Sequence, residues 1–167
     1  MNDSESFRIA KSAALNFLSY RARSEAEVRS RLSRRFSPNV VEQVIEELAQ
    51  QDLLNDSNFA RVWTENRDTF KPRSAAAIKQ ELLSKGVARD VAQSAVEGVD
   101  DTDGAYRAAQ RRAERLRDDD LPTCRRKLMG FLQRRGFSRS VSRETISRLW
   151  SELPDDVRLS TESIDDG

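Results

Sequence analysis

Histidine is absent from the 167 residues of this chain, which removes the commonest general base and the commonest zinc ligand. Nucleophiles that depend on an adjacent histidine, in Ser-His or Cys-His arrangements, are excluded with it. Glycine is also scarce: the six glycines are scattered and form neither a phosphate-cradling loop nor a dinucleotide-binding pattern. We therefore predict a protein that is not an enzyme and that uses no cofactor and no metal ion.

Cysteine and long apolar runs are the next shortages. The single cysteine, Cys124, cannot form a disulfide within the chain, and we interpret it as a packing residue rather than a nucleophile. No apolar run is long enough to span a membrane, and the first residues lack the features of a signal peptide. These observations predict a cytoplasmic protein without a membrane partner. The acidic run Asp118–Asp120 lacks spaced ligands, so we interpret it as a solvated loop rather than a cation site.

What the chain does contain is a repeat. Seven positions between residues 78 and 99 recur 50 residues later with the same apolar or glycine character. Ile78, Leu82, Gly86, Val87, Val91, Val96 and Val99 correspond to Leu128, Leu132, Gly136, Phe137, Val141, Ile146 and Leu149. In an earlier copy, Val28, Leu32 and Phe36 take the places of Ile78, Leu82 and Gly86, and Val40, Ile45 and Leu48 follow after a slightly shorter loop.

The spacing within each copy predicts helices. Apolar residues lie four apart, a break follows, and a second helical set comes after the break. Another helical segment precedes each pair, at residues 7–20, 59–70 and 102–117. We predict an all-α fold of three tandem three-helix repeats, similar to helix-turn-helix or homeodomain units, that form an elongated array. The predicted boundaries are 7–54, 55–100 and 101–152, followed by an acidic tail at 153–167.

Capping residues mark the predicted helix ends. Gly86 and Gly136 stand where a helix ends in the left-handed backbone conformation. Helix starts are predicted at the capping box of Ser24 with Glu27, at Ser37-Pro38, and at Asp56 or Ser57.

Charge is distributed unevenly although the formal net charge is only +1. Residues 101–150 carry 13 basic and 7 acidic side chains, a net charge of +6, whereas residues 151–167 carry a net charge of −5. From Pro154 onward the tail has no periodicity, and we predict that it is disordered. It could fold back on the basic third repeat or aid solubility, and we favour solubility.

Basic residues recur at the period of the repeat. Arg35, Lys85 and Arg135 each end the second helix of a repeat, where a cation either complements the helix dipole, for roughly 0.3–1 kcal/mol, or binds a partner. Both explanations remain open. Arg125 and Arg126 lie near a helix start, which disfavours cations and therefore indicates an anionic partner, either phosphate or an acidic protein surface. The candidate partner-binding residues are Arg23, Arg29, Arg35, Arg67, Arg73, Lys79, Lys85, Arg125, Arg126, Lys127, Arg134 and Arg135.

Aromatic side chains offer few stacking platforms for nucleic acid. We interpret four of them as core residues, since each repeat has few large apolar side chains: Trp63, Trp150, Phe131 and Phe137.

Three motifs occur in order along the first two repeats. They are Tyr20-Arg21-Ala22-Arg23-Ser24-Glu25-Ala26-Glu27-Val28 with Leu32; Leu53-Leu54-Asn55-Asp56 with Phe59-Ala60 and Arg67; and Ile78, Glu81-Leu82 and Lys85-Gly86-Val87. Together they resemble the motifs of the RecX family, over residues 10–150. The chain departs from the family pattern at Gln51-Asp52, Asn55 and Ser74, which affects caps and turns.

The resemblance implies a curved rod of three helical repeats that acts as a regulatory protein and not as an enzyme. Members of the family bind RecA recombinase filaments on single-stranded DNA. By resemblance, this chain is expected to do so as a monomer and to inhibit the filament's ATPase, strand-exchange and coprotease activities. Its expected setting is DNA repair, DNA recombination and the SOS response.

Two alternatives remain open. The chain could bind single-stranded or duplex DNA weakly and without sequence specificity through the basic third repeat, where Arg139, Arg143 and Arg148 lie on the third helix. It could also be a helical scaffold unrelated to recombination.

Overall fold

The computed structural model describes residues 2–153, and within that range the chain consists of nine α-helices and no β-strand. They are α1 (Asp3–Tyr20), α2 (Glu25–Leu32), α3 (Pro38–Gln50), α4 (Asp56–Phe70), α5 (Ala75–Ser84), α6 (Arg89–Val96), α7 (Asp101–Glu114), α8 (Leu121–Arg134) and α9 (Arg139–Ser151). The predicted all-α class is confirmed. Met1 and residues 154–167, which hold nearly all of the predicted tail, lie outside the described residues.

Two compact units make up the chain. The first comprises Met1–Glu65 and Lys79–Glu97, and the second comprises Asn66–Ile78 and Gly98–Gly167. In the first unit α1, α2 and α3 pack on one another, and in the second unit α7, α8 and α9 do the same. In the described part of the chain, no helix is both long enough and apolar enough to cross a membrane.

The predicted apolar skeleton forms the core. The first apolar residue of the skeleton in each repeat is fully buried: Val28, Ile78 and Leu128. The second, four residues later, exposes at most 1% of its surface: Leu32, Leu82 and Leu132. Because residues four apart lie on the same helix face, each pair presents one apolar stripe to its neighbours. At roughly 25 cal/mol per Å² of apolar surface removed from water, these stripes are the main stabilising contribution of each repeat.

Three of the predicted helix termini are reproduced closely. Gly86 and Gly136 have φ angles of 80° and 89°, in the left-handed region that favours glycine. The capping box at α2 is complete: the Glu27 N–H donates to Ser24 Oγ at 3.1 Å, and the Ser24 N–H donates to Glu27 Oε2 at 2.9 Å.

The start of α3 at Pro38, after Ser37, is also as predicted, whereas two other helix starts differ from the prediction. Asn55 caps α4, in place of Asp56 or Ser57, because its Oδ1 accepts a hydrogen bond from the Asn58 N–H at 3.0 Å. Helix α1 begins before the predicted Phe7, because Asn2 Oδ1 accepts from the Glu5 N–H at 2.8 Å and so provides an earlier cap.

We predict that Gly86→Ala destabilises the protein by about 2–4 kcal/mol. A Cβ at Gly86 would lie 2.2 Å from the Cβ of Ala26, and the left-handed backbone there would also strain an alanine. Urea unfolding followed by circular dichroism measures the loss. Gly98→Ala is the control, because an added Cβ there meets nothing within 4 Å, and it should change stability by no more than about 0.5 kcal/mol. Equal effects of the two substitutions would contradict the prediction.

Candidate partner-binding interface

The start of α2 meets the end of α5 in the first unit, and we call this contact joint 1. The Ser24 hydroxyl donates to the Lys85 carbonyl at 2.5 Å, and the Glu25 N–H donates to Asp56 Oδ1 at 2.9 Å. A helix start has N–H groups without intrahelical acceptors, and a helix end has carbonyls without intrahelical donors. Hydrogen bonds between the two therefore satisfy some of the unpaired groups of both. Burial raises the pKa of Asp56, although the Glu25 N–H partly offsets this effect.

The start of α5 meets the end of α8 in the second unit, and we call this contact joint 2. Here the donor to the helix end is a backbone N–H and not the serine hydroxyl. The Ser74 N–H donates to the Arg135 carbonyl at 3.2 Å, and the Ala75 N–H donates to Asp101 Oδ1 at 2.8 Å. A Cβ at Gly136 would lie 2.5 Å from the Cβ of Ala77. Glycine is therefore required at both joints by close approach as well as by backbone conformation.

A carboxylate compensates the cations of joint 1. Glu27 Oε1 lies 2.6 Å from Arg21 Nη2 and 3.6 Å from Lys85 Nζ, and Lys85 Nζ also lies 4.6 Å from the centre of the Trp63 ring. Burial alone would raise the pKa of Glu27, but hydrogen bonds from Arg21 and the Ser24 N–H, together with the nearby positive charges, hold that pKa below its ordinary value.

A groove of about 430 Å³ runs beside joint 1. Its walls combine cations and an aromatic ring: Phe17, Ala26, Glu27, Ser30, Arg31, Arg34, Ser84, Lys85 and Gly86. The guanidinium carbons of Arg23 and Arg31 lie 4.0 and 5.5 Å from the centre of the Phe17 ring. These distances are within the range of cation–π interactions, so the ring orients both guanidinium groups.

Arginines gather around Phe131 at joint 2. The guanidinium carbons of Arg135 and Arg112 lie 4.9 and 5.6 Å from the centre of its ring. Burial lowers the pKa of Arg135, and the positive charges of Arg73, Arg67 and Arg112 lower it further. We call Arg67, Arg73, Arg112 and Arg135 the arginine cluster.

Several of the predicted partner-binding cations are held by other parts of the chain. Arg29 bonds to Glu42 and Glu25, which raises its pKa above the usual value, and Lys79 Nζ donates to Gln93 Oε1 at 2.9 Å. Lys127 Nζ bonds to Asp119 Oδ2 at 2.8 Å. These three side chains are less available to a partner than the sequence suggested.

Other predicted cations are exposed. They are Arg35, Arg125, Arg126 and Arg134, of which the last three lie on α8. The structure thus holds some candidate cations in contacts within the chain and exposes others. Arg67, Arg73 and Arg135 lie in the half-buried arginine cluster at joint 2, and Arg23 and Lys85 lie over aromatic rings in the first unit.

The remaining candidate sites have structural roles. Asp119 binds Lys127, and Asp120 caps α8 by accepting from the Thr123 N–H at 2.8 Å. Cys124 is buried, and burial raises the pKa of its thiol, which disfavours the reactive thiolate. Within residues 2–153, no group of three or more histidine, cysteine, aspartate or glutamate side chains could hold a metal ion.

Comparison with known proteins identifies the family of this fold. Family models of the first, second and third three-helix domains of RecX match residues 10–48, 55–96 and 100–146. The chain belongs to the RecX family. It is 33% identical to regulatory protein RecX of Chlorobium limicola over 147 residues, which cover 87% of this chain and 92% of that relative. It is 36% identical to regulatory protein RecX of Mycobacterium avium over 143 residues, which cover 82% of each chain.

Solved RecX structures have the same fold. The crystal structure of RecX from Lactobacillus salivarius matches with a TM-score of 0.72 at 26% identity, over 87% of this chain and 97% of that one. A second RecX crystal structure matches with a TM-score of 0.71 at 23% identity, over 85% of this chain and 73% of that one. The prediction of three tandem three-helix repeats is confirmed.

Sequence reasoning missed several residues that make contacts at the two joints of this RecX chain. Asp56 and Asp101 cap the start of a helix in the preceding repeat, and Arg112 joins the arginine cluster although it matches none of the quoted motifs. The sequence did contain a signal for the joints. Gly86 and Gly136 are each preceded, at the same spacing along the chain, by a serine of the repeat before, Ser24 and Ser74 respectively. Phe131, interpreted as a core residue, is only partly buried, and the guanidinium groups of two arginines lie over its ring.

We predict that Glu27→Gln destabilises the first unit by about 0.5–1 kcal/mol at pH 7, because glutamine keeps the capping bond but removes the charge facing Arg21 and Lys85. The folded-state pKa of Glu27 is lowered, so its contribution is present above the unfolded pKa of about 4.3 and is lost as pH falls through the folded pKa. Urea unfolding at pH 7 and at acidic pH should therefore show a difference between the variant and the original protein that shrinks with acid. Glu46→Gln, exposed on α3, is the control. A difference that grows in acid would contradict the assignment.

Proposed function

We propose that this protein binds RecA recombinase filaments on single-stranded DNA and inhibits their ATP hydrolysis, strand exchange and coprotease activity. Membership of the RecX family carries the proposal, because the relatives that match over most of this chain are named regulatory proteins. The protein acts by binding and not by catalysis. It acts in the cytoplasm, in DNA repair and recombination.

The distribution of exposed cations supports a partner with a negatively charged surface. Arg125, Arg126 and Arg134 are exposed on one helix, α8. Arg125 and Arg126 follow Pro122 near the N-terminal half of α8, where the helix dipole does not favour a cation. An electrostatic role outside the fold explains them better than a role in helix stability does.

A second candidate function is direct nucleic-acid binding through the third repeat. Its support is the net charge of +6 on residues 101–150 and the exposure of Arg139, Arg143 and Arg148 on α9. Arg148 lies over the Tyr106 ring at 3.7 Å and bonds to Glu152, so part of this charge is already compensated. Direct binding of DNA and binding of the recombinase are compatible, and separate assays distinguish them.

We predict that the protein suppresses ATP hydrolysis by RecA on single-stranded DNA at ratios well below one copy per recombinase subunit. Such strong inhibition at low ratio follows if each bound copy blocks filament growth or affects many subunits. Arg126→Glu should require about fivefold more protein for the same inhibition, because reversing one exposed interfacial charge costs about 1 kcal/mol. The measurement is a coupled ATPase assay with DNA in excess.

Arg61→Glu is the matched control for this charge reversal. Arg61 is exposed on α4, pairs with Glu65 at 2.9 Å and is outside the candidate set, so the inhibition should be unchanged. A folded protein without any effect on the ATPase would contradict the proposed function. Inhibition only at concentrations that saturate the DNA would favour competition for the strand.

A further inference from the structure

Joints 1 and 2 share one backbone plan but differ in their carboxylates. Fifty residues after Glu27 the chain has Ala77, and 50 residues after Glu81 it has Phe131. At joint 1, Glu27 lies close to Lys85, and Glu81 accepts a hydrogen bond from the Trp63 indole at 2.8 Å. At joint 2 both carboxylates have been replaced by apolar side chains, while the cation at the end of the helix, Arg135, is retained.

The geometry around Phe131 concentrates positive charge in a half-buried place. Arg112 and Arg135 both lie over the ring, and Arg135 Nη1 reaches the Pro72 carbonyl only at 3.4 Å. The buried Nε of Arg112 has no hydrogen-bond acceptor among the described residues. A buried donor without an acceptor costs free energy, so a rotation of the Arg112 side chain that brings this donor to an anion at the surface is favourable.

A neighbouring arginine shows how the same unit compensates charge elsewhere. Arg107 donates to Asp68 Oδ1 at 2.9 Å and to Asp103 Oδ2 at 2.8 Å, and these hydrogen bonds outweigh burial and raise its pKa. Arg135 shows the opposite shift, because burial and three surrounding arginines disfavour its charge. A bound anion would remove that penalty.

We propose that the arginine cluster at joint 2 binds the phosphodiester backbone of single-stranded DNA. Guanidinium groups match phosphate oxygens in a bidentate geometry, and a partly exposed aromatic ring beside cations is typical of single-strand sites. The net charge of the third repeat attracts a polyanion rather than an isolated carboxylate. The proposal rests on the proposed function only for the choice of DNA, because the site itself needs no recombinase.

The test uses the full chain and a fluorescein-labelled oligothymidylate, with anisotropy measured over a series of salt concentrations and without recombinase. The double variant Arg112→Gln, Arg135→Gln should bind about tenfold more weakly. Losing two phosphate contacts should also reduce the slope of log affinity against log salt by about 1.4. Arg112→Lys with Arg135→Lys keeps charge but not the bidentate fork, and its affinity should lie between those of the original protein and the glutamine variant.

Arg117→Gln is the matched control, since it removes the same charge from an exposed position of the same repeat. It should weaken binding by no more than about twofold and leave the salt slope nearly unchanged. If it weakens binding as much as each single cluster variant, Arg112→Gln or Arg135→Gln, the cluster is not a specific site and the proposal is overturned. Circular dichroism and thermal unfolding identify any variant that has lost its fold, and the lysine pair then decides the outcome.

The ATPase assay separates this proposal from the proposed function. Loss of DNA binding with inhibition of RecA retained would support the phosphate site and place recombinase docking elsewhere. Retained DNA binding with inhibition lost would overturn the proposal, because the cluster would then contact an acidic protein surface. Tight DNA binding by the original protein without any inhibition of RecA would contradict the proposed function but leave the phosphate site supported.

Discussion

A glycine in the left-handed backbone conformation, placed against the start of a helix from the preceding repeat, is the constraint on which both joints depend. At Gly86 and Gly136 any side chain would meet a neighbouring alanine at 2.2 or 2.5 Å, so the approach exists only because a Cβ is missing. The approach lets serine and aspartate complete hydrogen bonds that two helix ends leave open. In the first repeat Phe36 stands at this position and packs against its own core.

Polar contacts are important for the stability of this chain, because only 37% of its residues are hydrophobic and 34% are charged. Each repeat has a small core, and the joints consist of capping groups, a buried serine and an aspartate rather than a large apolar surface. Ser24 and Ser74 are almost completely buried, so their hydrogen bonds are made away from water, where an unsatisfied group would cost about 1–3 kcal/mol. Because these contacts use capping groups, the solvent-facing positions of α2, α5 and α8 are not needed to hold the joints together.

The sequence predicted the fold well because its signals are local and repeated. The apolar residues Val28, Ile78 and Leu128 identify equivalent buried positions without knowledge of any long-range contact. The recurring serine and glycine positions mark where the joints lie, but their contacts could not be predicted, since no local pattern shows that Asp56 caps α2 or that Arg112 approaches Phe131. The candidate cations were therefore selected by recurrence and charge, which does not distinguish Arg29, held by two glutamates, from the exposed Arg126.

The structure bears on whether the cations at the helix ends serve the helix dipole or a partner. The carbonyls of Lys85 and Arg135 already accept hydrogen bonds from Ser24 and Ser74. The two basic side chains extend over the rings of Trp63 and Phe131 instead of covering those carbonyls. Serine therefore meets the hydrogen-bonding need of the helix end, and the dipole alone does not account for a cation held over an aromatic ring. At joint 1 Glu27 compensates that cation, whereas at joint 2 Ala77 stands in place of the glutamate, and this difference between the two joints is the basis of the proposed phosphate site.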